Sequence, residues 1–284
     1  MSKLLFDKLT EKLQDEYKIA LLHITNKLDS DEKETLRFYY SRHIPQNATG
    51  WLNVMHSLEN TSIISWIDVR SLQDSLKAIR RLDLAETLSV FEIKRDLAIL
   101  LDLYAREILG METSGRFPTA QLVAGYLVKV TTELVNGPFK RQKLTSLMES
   151  TKKIEKVLIS FEMELNSKSW DPWSKFTFLV IITGEIVARV ATKEELCRKL
   201  CATELCLRGA DELCSRMMKL KGKWEDFCNY VEERHNVVNH NCSAIDSTNF
   251  STHRLTAEVV QQLEETKFFN TSMAIKEQNI QIQN

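Results

Sequence analysis

The sequence contains few of the residues that make turns, with 8 glycines and 4 prolines among 284 residues. A β-sandwich or β-barrel needs turn residues roughly every 8–12 positions, and loops that bind phosphate need clustered glycines. The scarcity of both residues argues against these structures. The composition predicts an all-helical protein, and the length predicts two domains at roughly 150 residues per domain.

Cysteine is absent from the first 196 residues, and all six cysteines lie between Cys197 and Cys242. A disulfide-rich scaffold would spread its cysteines along the chain. No basic segment followed by an apolar one opens the sequence, so no secretory leader is predicted. We therefore expect a reducing, cytoplasmic setting in which the thiols fill the core.

An excess of charge of one sign is also lacking, because 38 lysines and arginines face 39 aspartates and glutamates. This balance predicts no nucleic-acid partner. The most apolar stretch runs from Phe176 to Ala191 but contains Glu185 and Arg189. It falls short of the roughly 18 uncharged residues that a membrane span needs, so no transmembrane segment is predicted.

Apolar residues recur at helical spacing along most of the chain. In the first half they predict one long helix or two short ones over 3–28, and further helices from about 31, at 51–58, at 69–79, from 83 and at 93–109. After a boundary between Gly110 and Pro118 they predict helices at 120–135, 142–165, 172–191, 193–220 and 224–233. The predicted domains are therefore 1–110 and 117–235, followed by a polar, partly disordered tail at 236–284.

Several motifs follow one another in the first domain. They are Leu21-Leu22-His23, Leu28-Asp29-Ser30-Asp31-Glu32, Leu36-Arg37-Phe38, His43-Ile44-Pro45 and Arg81-Leu82-Asp83-Leu84. In these residues the segment 16–90 resembles the death effector domain, a six-helix member of the death fold that assembles apoptotic signalling complexes. The last motif has the R-x-D-L pattern of that family. The resemblance implies a six-helix bundle, to which residues 1–15 add a helical extension.

The same resemblance implies a protein-binding surface that includes Leu84 of the R-x-D-L motif. Arg81 and Asp83 of that motif would join Glu32, at the start of the second helix, in a surface charge network. The alternative is that these three residues are ordinary solvated charges. Phe38 matches an exposed apolar residue through which family members contact each other. Its alternative is a core position, because phenylalanine is usually buried.

Two tryptophan motifs in the second domain flank its most apolar helix. Asp171-Pro172-Trp173-Ser174-Lys175 leads into Thr183-Gly184-Glu185, and Gly222-Lys223-Trp224-Glu225-Asp226-Phe227 follows. These residues resemble the first and second homology motifs of the B-cell-lymphoma-2 (Bcl-2) fold across 119–235. The resemblance implies a buried central helix and a groove that accepts a partner's BH3-type helix, with Trp173, Gly184 and Trp224 at the binding site.

This second domain departs from the Bcl-2 pattern at several positions. Lys175 stands where that family has the groove arginine, Ser174 replaces a glycine, and Leu147-Met148-Glu149-Ser150 is a poor match to the third motif. The alternative is that Trp173 and Trp224 are core aromatics of an unrelated helical bundle.

Enzyme chemistry has little support in the sequence. A cysteine protease of the caspase type needs a motif such as Q-A-C-x-G and a histidine base, and none of the six cysteines has that context. Cys228, His235, His240 and Cys242 match no standard zinc spacing. We therefore expect no catalytic residue, no metal and no cofactor.

These observations together predict a non-enzymatic regulator of apoptosis. Its first domain is expected to bind death effector domains of adaptors or initiator caspases, and its second to bind a BH3-type helix. The alternative is a death-effector adaptor or scaffold whose second bundle is unrelated to the Bcl-2 fold. A decoy that caps a growing assembly and an adaptor that extends it would use the same residues.

Overall fold

The computed structural model describes residues 2–45, 48–111, 113, 115–136, 154–166, 170–191, 196–220 and 222–243. Within these ranges every regular element is an α-helix, and no strand is present. The all-helical prediction is confirmed. None of the described helices is long and apolar enough to cross a membrane.

The chain divides into two compact units, Met1–Leu97 and Ala98–Asn284. The first unit contains α1 (Ser2–Lys27), α2 (Ser30–Tyr39), α3 (Trp51–Asn60), α4 (Arg70–Ala78) and the first part of α5 (Leu82–Ile108). The second contains the rest of α5 and α6 (Pro118–Asn136), α7 (Ile154–Asn166), α8 (Pro172–Ala191), α9 (Leu196–Lys219) and α10 (Trp224–Ser243). The boundary between the two units therefore lies inside α5.

A single stripe of buried side chains explains α1. Leu9, Leu13, Tyr17, Leu21 and Ile24 are buried and recur every three or four residues, which places them on one face of a helix. Of the one long helix or two short ones predicted over 3–28, the structure forms one, α1. The N-terminal extension belongs to this same continuous helix, and its Leu9 and Leu13 belong to the same buried stripe.

The long helix α5 differs from the sequence prediction, which had one helix beginning at residue 83 and another at 93–109. The structure forms one helix of 27 residues from Leu82 to Ile108. No glycine or proline interrupts this segment. Just beyond the end of the helix, Gly110 has a φ of 62°, which lets the Met111 amide donate a hydrogen bond to the Arg106 carbonyl.

The first unit has five helices in its described part, where the death-fold resemblance implies six. Residues 41–44, between α2 and α3, form turns and a bend instead of a further helix. Pro45 follows directly and disfavours helical backbone in the residue before it. In the other unit, α10 continues to Ser243, past its predicted end at residue 233. The segments 137–153 and 244–284, which include part of a predicted helix and most of the predicted tail, lie outside the described residues.

Two buried polar side chains hold neighbouring segments of the first unit together. The Tyr40 hydroxyl, just after α2, lies 2.8 Å from the Ser71 carbonyl oxygen and 2.9 Å from Ser75 Oγ in α4. The Arg95 guanidinium of α5 donates to the carbonyl oxygens of Trp66 and Ile67, at 3.1 and 2.6 Å. Arg95 thereby holds the loop that precedes α4.

The apolar helix α8 forms the centre of the second unit. Phe176, Val190 and every residue from Phe178 to Ala188 are buried, as the all-round apolar pattern predicted. Helix α9 packs along α8, and α7 contacts both. At Gly209 in α9 an added Cβ would lie 2.6 Å from Thr183 Cγ2, so glycine permits the close approach of α8 and α9.

We predict that Arg95→Gln destabilises the protein strongly. The change leaves two loop carbonyls and the carboxylate of Asp96, 2.8 Å from Arg95 Nη2, without their buried partner. Breaking a buried ion pair costs about 3–5 kcal/mol. Urea denaturation measures this loss. Arg70→Gln, which removes an exposed pair with Asp68, is the control and is expected to change stability by less than about 0.5 kcal/mol; equal effects would contradict the assignment.

Candidate protein-interaction site

The backbone of Arg81 is fixed by the ends of two helices. Arg80 adopts a left-handed conformation with a φ of 62°, which closes α4 and lets the Arg81 amide donate to the Leu76 carbonyl at 2.8 Å. On its other side, the Arg81 carbonyl accepts a hydrogen bond from Ala85 in the first turn of α5. The backbone of Arg81 therefore fixes the point at which its side chain begins, at the junction of α4 and α5.

The Arg81 side chain joins three segments of the first unit. Its Nε and Nη2 donate to the two carboxylate oxygens of Asp83 at 3.0 and 2.9 Å. Its Nη1 donates to Glu32 Oε2 at 2.7 Å and to the Lys27 carbonyl oxygen at 3.0 Å. We call Glu32, Arg81 and Asp83 the charge network. It connects the end of α1, the start of α2 and the start of α5.

Glu32 reaches Arg81 because a capping box fixes it. The Asp29 side chain accepts the Glu32 amide at 2.8 Å, and Glu32 Oε2 accepts the Asp29 amide at 2.9 Å. This reciprocal pair satisfies two of the free amide groups at the start of α2. The same Glu32 oxygen also accepts a hydrogen bond from Arg81 Nη1. One carboxylate therefore serves both the start of α2 and the charge network.

The guanidinium changes the acidity of Asp83. The two hydrogen bonds from Arg81 lower the pKa of Asp83 to about 2, and the same bonds raise the pKa of Arg81 above its ordinary value. Asp83 is 63% exposed, whereas Arg81 and Glu32 are about one-fifth exposed. The network therefore presents Asp83 to solvent and keeps the cation partly covered.

Phe38 lies on the outer side of α2. Leu36 and Tyr40, four residues apart, are buried, which defines the inner side. A residue two positions from each points roughly 200° away on a helix. Phe38 is 82% exposed, and Tyr39 beside it is also exposed. The alternative that Phe38 is a core residue is wrong.

The R-x-D-L motif contains two leucines in opposite environments. The resemblance places Leu84 on the binding surface. Its side chain is buried in the first unit and is not accessible to a partner, which corrects that expectation. Leu82 is 65% exposed and stands between the two charged residues of the motif. Two residues along a helix correspond to a rotation of about 200°, so a buried Leu84 places Leu82 on the outer side. This geometry could have identified Leu82 as exposed from the sequence.

Gly184 also differs from its expected role. A Cβ added to this residue would lie 2.3 Å from Cδ1 of Tyr104, a fully buried side chain of α5. The Tyr104 hydroxyl donates to Glu185 Oε1 at 3.2 Å. Gly184 therefore allows a buried ring to pack on α8 and does not face a partner, which corrects the groove expectation. A glycine in an apolar helix signals such close packing, but the sequence does not identify Tyr104.

The two tryptophans belong to one aromatic cluster. Trp173 stacks on Phe227 with ring centroids 6.0 Å apart, and Trp224 contacts the same ring at 5.9 Å. An added Cβ at Gly222 would lie 2.5 Å from the Trp173 ring. The cluster joins the start of α8 to the start of α10. Both tryptophans are half-buried.

Lys175 lies in the first turn of α8, which Asp171 caps. The Ser174 amide donates to Asp171 Oδ1 at 3.0 Å, and Ser174 Oγ lies 2.7 Å from the Tyr230 hydroxyl. Lys175 is half-buried, and its ammonium forms no ion pair with any residue whose side chain is described. It is therefore a cation available at the surface of the second unit.

The described residues contain no cluster of His, Cys, Asp or Glu that could hold a metal ion. The thiols of Cys206, Cys214 and Cys228 are buried, and burial raises the pKa of the Cys206 thiol well above its usual value. A buried neutral thiol is a poor nucleophile. The side chains of His235, His240 and Cys242, which the sequence grouped with Cys228, lie outside the described residues.

Comparisons with protein-family models, with curated proteins and with solved structures give no match to this chain.

We predict that removing the guanidinium raises the pKa of Asp83. In Arg81→Gln it is expected to rise from about 2 toward the ordinary value of about 3.9. A lowered pKa means that Asp83 stabilises the fold above the ordinary value and that this contribution is lost as the pH falls toward 2. NMR titration of the side-chain carboxyl measures the shift. Arg70→Gln is the control and should leave Asp83 unchanged.

A second prediction concerns Gly184. Gly184→Ala is expected to lower the unfolding free energy by about 1–3 kcal/mol, because the new methyl group clashes with the buried Tyr104 ring. Gly125→Ala in α6 is the matched control, since nothing lies within 4 Å of its added Cβ. Alanine there should stabilise the helix by up to about 1 kcal/mol. If Gly184→Ala is neutral in thermal denaturation, Tyr104 does not pack against this residue.

Proposed function

We propose that this chain is a non-enzymatic regulator of apoptosis that acts in the cytoplasm through its first unit. Its partners are death effector domains of adaptors or initiator caspases. The observation that carries the proposal is the hydrogen-bonded network of Glu32, Arg81 and Asp83, the three residues that the death-effector resemblance singled out. The shared guanidinium supports a specific arrangement of these charges over the alternative in which each is solvated separately.

The exposure of Asp83 supports binding rather than stabilisation as the role of this residue. A pair such as Arg81 and Asp83, with one exposed partner, adds about 0–1 kcal/mol to stability. Complementary charges matter more for the rate and specificity of association. Phe38 adds an exposed aromatic ring, a type of side chain that is enriched at protein interfaces.

The second unit supports two candidate functions. Lys175, at the start of α8, is a cation that can receive the acidic residue of a BH3-type helix, which favours a binding domain. The buried Gly184 and the cluster around Phe227 are equally expected in the core of a generic helical bundle, which favours a scaffold. We propose the first function, with the scaffold as the alternative.

The test of the first unit is Phe38→Ala in the full chain. We expect binding to the purified death effector domain of a death-receptor adaptor to weaken at least about tenfold, while the thermal midpoint changes by less than about 2 °C. The reason is that an exposed ring contributes contact area and no core packing. Isothermal titration calorimetry measures the affinity.

Leu52→Ala provides the matched control, because Leu52 is a 63% exposed apolar residue on α3 of the same unit. It should bind as the unchanged chain does. Binding by Phe38→Ala equal to that of the unchanged chain would remove Phe38 from the interface. Absence of binding by the unchanged chain to adaptor and initiator-caspase domains alike would refute the proposed function.

The test of the second unit is Lys175→Arg against Lys175→Glu. A BH3-type peptide is expected to bind more tightly to Lys175→Arg, because a planar guanidinium can hold a carboxylate with two hydrogen bonds. Lys175→Glu should bind more weakly and with less salt dependence. Fluorescence anisotropy of the labelled peptide gives both affinities. If none of the three proteins binds, the second unit is a scaffold.

A further inference from the structure

The hydrogen-bonding capacity of Arg81 is almost used up within the first unit. A guanidinium has five N–H donors, and four of those of Arg81 bind Asp83, Glu32 and the Lys27 carbonyl. Its side chain is only 21% exposed. A direct bidentate contact from Arg81 to a partner would therefore require the existing bonds to break.

Two neighbouring side chains remain open to a partner. Each Asp83 oxygen accepts one hydrogen bond from Arg81, and the Leu84 backbone amide also donates to this carboxylate. The Asp83 side chain is 63% exposed, so its carboxylate remains accessible to a cation of a partner. Leu82, the first residue of α5, exposes about two-thirds of its side chain beside Asp83. An exposed leucine next to a fixed carboxylate combines an apolar contact with a directional charge.

We propose that Arg81 is a positioning residue and that Leu82 and Asp83 make the contact with the partner. The inference rests on the proposed function, because the partner is the same death effector domain. The partner face that fits presents a lysine or arginine beside an aliphatic side chain. The cation of the partner pairs with the exposed carboxylate of Asp83, and the aliphatic side chain packs on Leu82.

The charge around Leu82 supports a basic partner face. One guanidinium serves both Glu32 and Asp83, which leaves one negative charge uncancelled within the charge network. Glu86, one turn further along α5 from Leu82, is exposed and forms no ion pair with the other side chains that the structure describes. The nearest cation in sequence outside the network, Arg80, ends α4 and does not belong to the first turn of α5.

The role of Arg81 can be separated from direct contact by a double-mutant cycle. If Arg81 acts by holding Asp83, Arg81→Gln and Asp83→Asn each weaken binding, and the double variant binds no more weakly than the worse single variant. Independent contacts would give additive losses. Arg81→Gln should also restore the ordinary pKa of Asp83 without a partner present, a change that a purely steric role would not cause.

The experiment uses the full chain and the purified death effector domain of a death-receptor adaptor, titrated at two salt concentrations. Leu82→Ala is expected to weaken binding about tenfold with an unchanged thermal midpoint. Asp83→Asn should weaken binding and flatten its salt dependence. The controls are Leu52→Ala and Arg70→Gln. Arg70 holds Asp68 through the same two nitrogens, Nε and Nη2, both at 3.1 Å.

The outcomes distinguish this inference from the proposed function. If the unchanged chain binds and Leu82→Ala binds equally well, or the losses in Arg81→Gln and Asp83→Asn add, the inference is overturned and the proposed function stands. If the unchanged chain binds no death effector domain, the proposed function fails and the inference fails with it. Loss of binding in Leu82→Ala and in Asp83→Asn, without additivity in the cycle, supports both.

Discussion

The hydrogen bonds of one guanidinium determine the interaction surface of the first unit. Arg81 binds the last carbonyl of α1, the capping glutamate of α2 and the first acidic residue of α5. Each of these partners sits at a helix end, where backbone groups and side chains need new hydrogen bonds. The positions of Asp83 and Leu82 at the surface follow from this arrangement, since both belong to the turn that Arg81 holds.

Three glycines allow the close packing of the second unit. Because glycine has no Cβ, the Tyr104 ring packs on Gly184, Thr183 packs on Gly209 and the Trp173 ring packs on Gly222. Close approach lets α8 be buried on all sides, although it contains Glu185. That carboxylate is accommodated because Tyr104 donates to it and Arg189 lies 3.5 Å from its other oxygen. A buried charge is tolerated when it is paired in this way.

Local sequence patterns predicted much of the fold. The scarcity of glycine and proline indicated helices, the apolar stripe of α1 gave its limits, and the apolar composition of α8 indicated burial. Helix α5 was divided wrongly because short amphipathic pieces were read separately, although no breaking residue separates them. The limits of helices depend on tertiary packing, which a local pattern does not contain.

The sequence predicts less of the candidate site than of the fold. Glu32, Arg81 and Asp83 were chosen by resemblance, since residues 49 positions apart have no local signal of contact. Leu84 was assigned to the surface because it belongs to the same motif, whereas helical geometry buries it and exposes Leu82. The Bcl-2 resemblance places Gly184 at a groove, whereas the ring that packs on it belongs to Tyr104, 80 residues earlier, a contact that no local pattern indicates.

The most direct test of the central claim is hydrogen exchange at the Arg81 Nε–H group, measured by nitrogen-15 NMR on the full chain. Arg70 is an internal reference, because its Nε also donates to a nearby aspartate while its side chain is 73% exposed. If Arg81 is held by Asp83, Glu32 and Lys27 together, its Nε–H exchanges at least about tenfold more slowly than that of Arg70. Equal exchange rates would contradict the account.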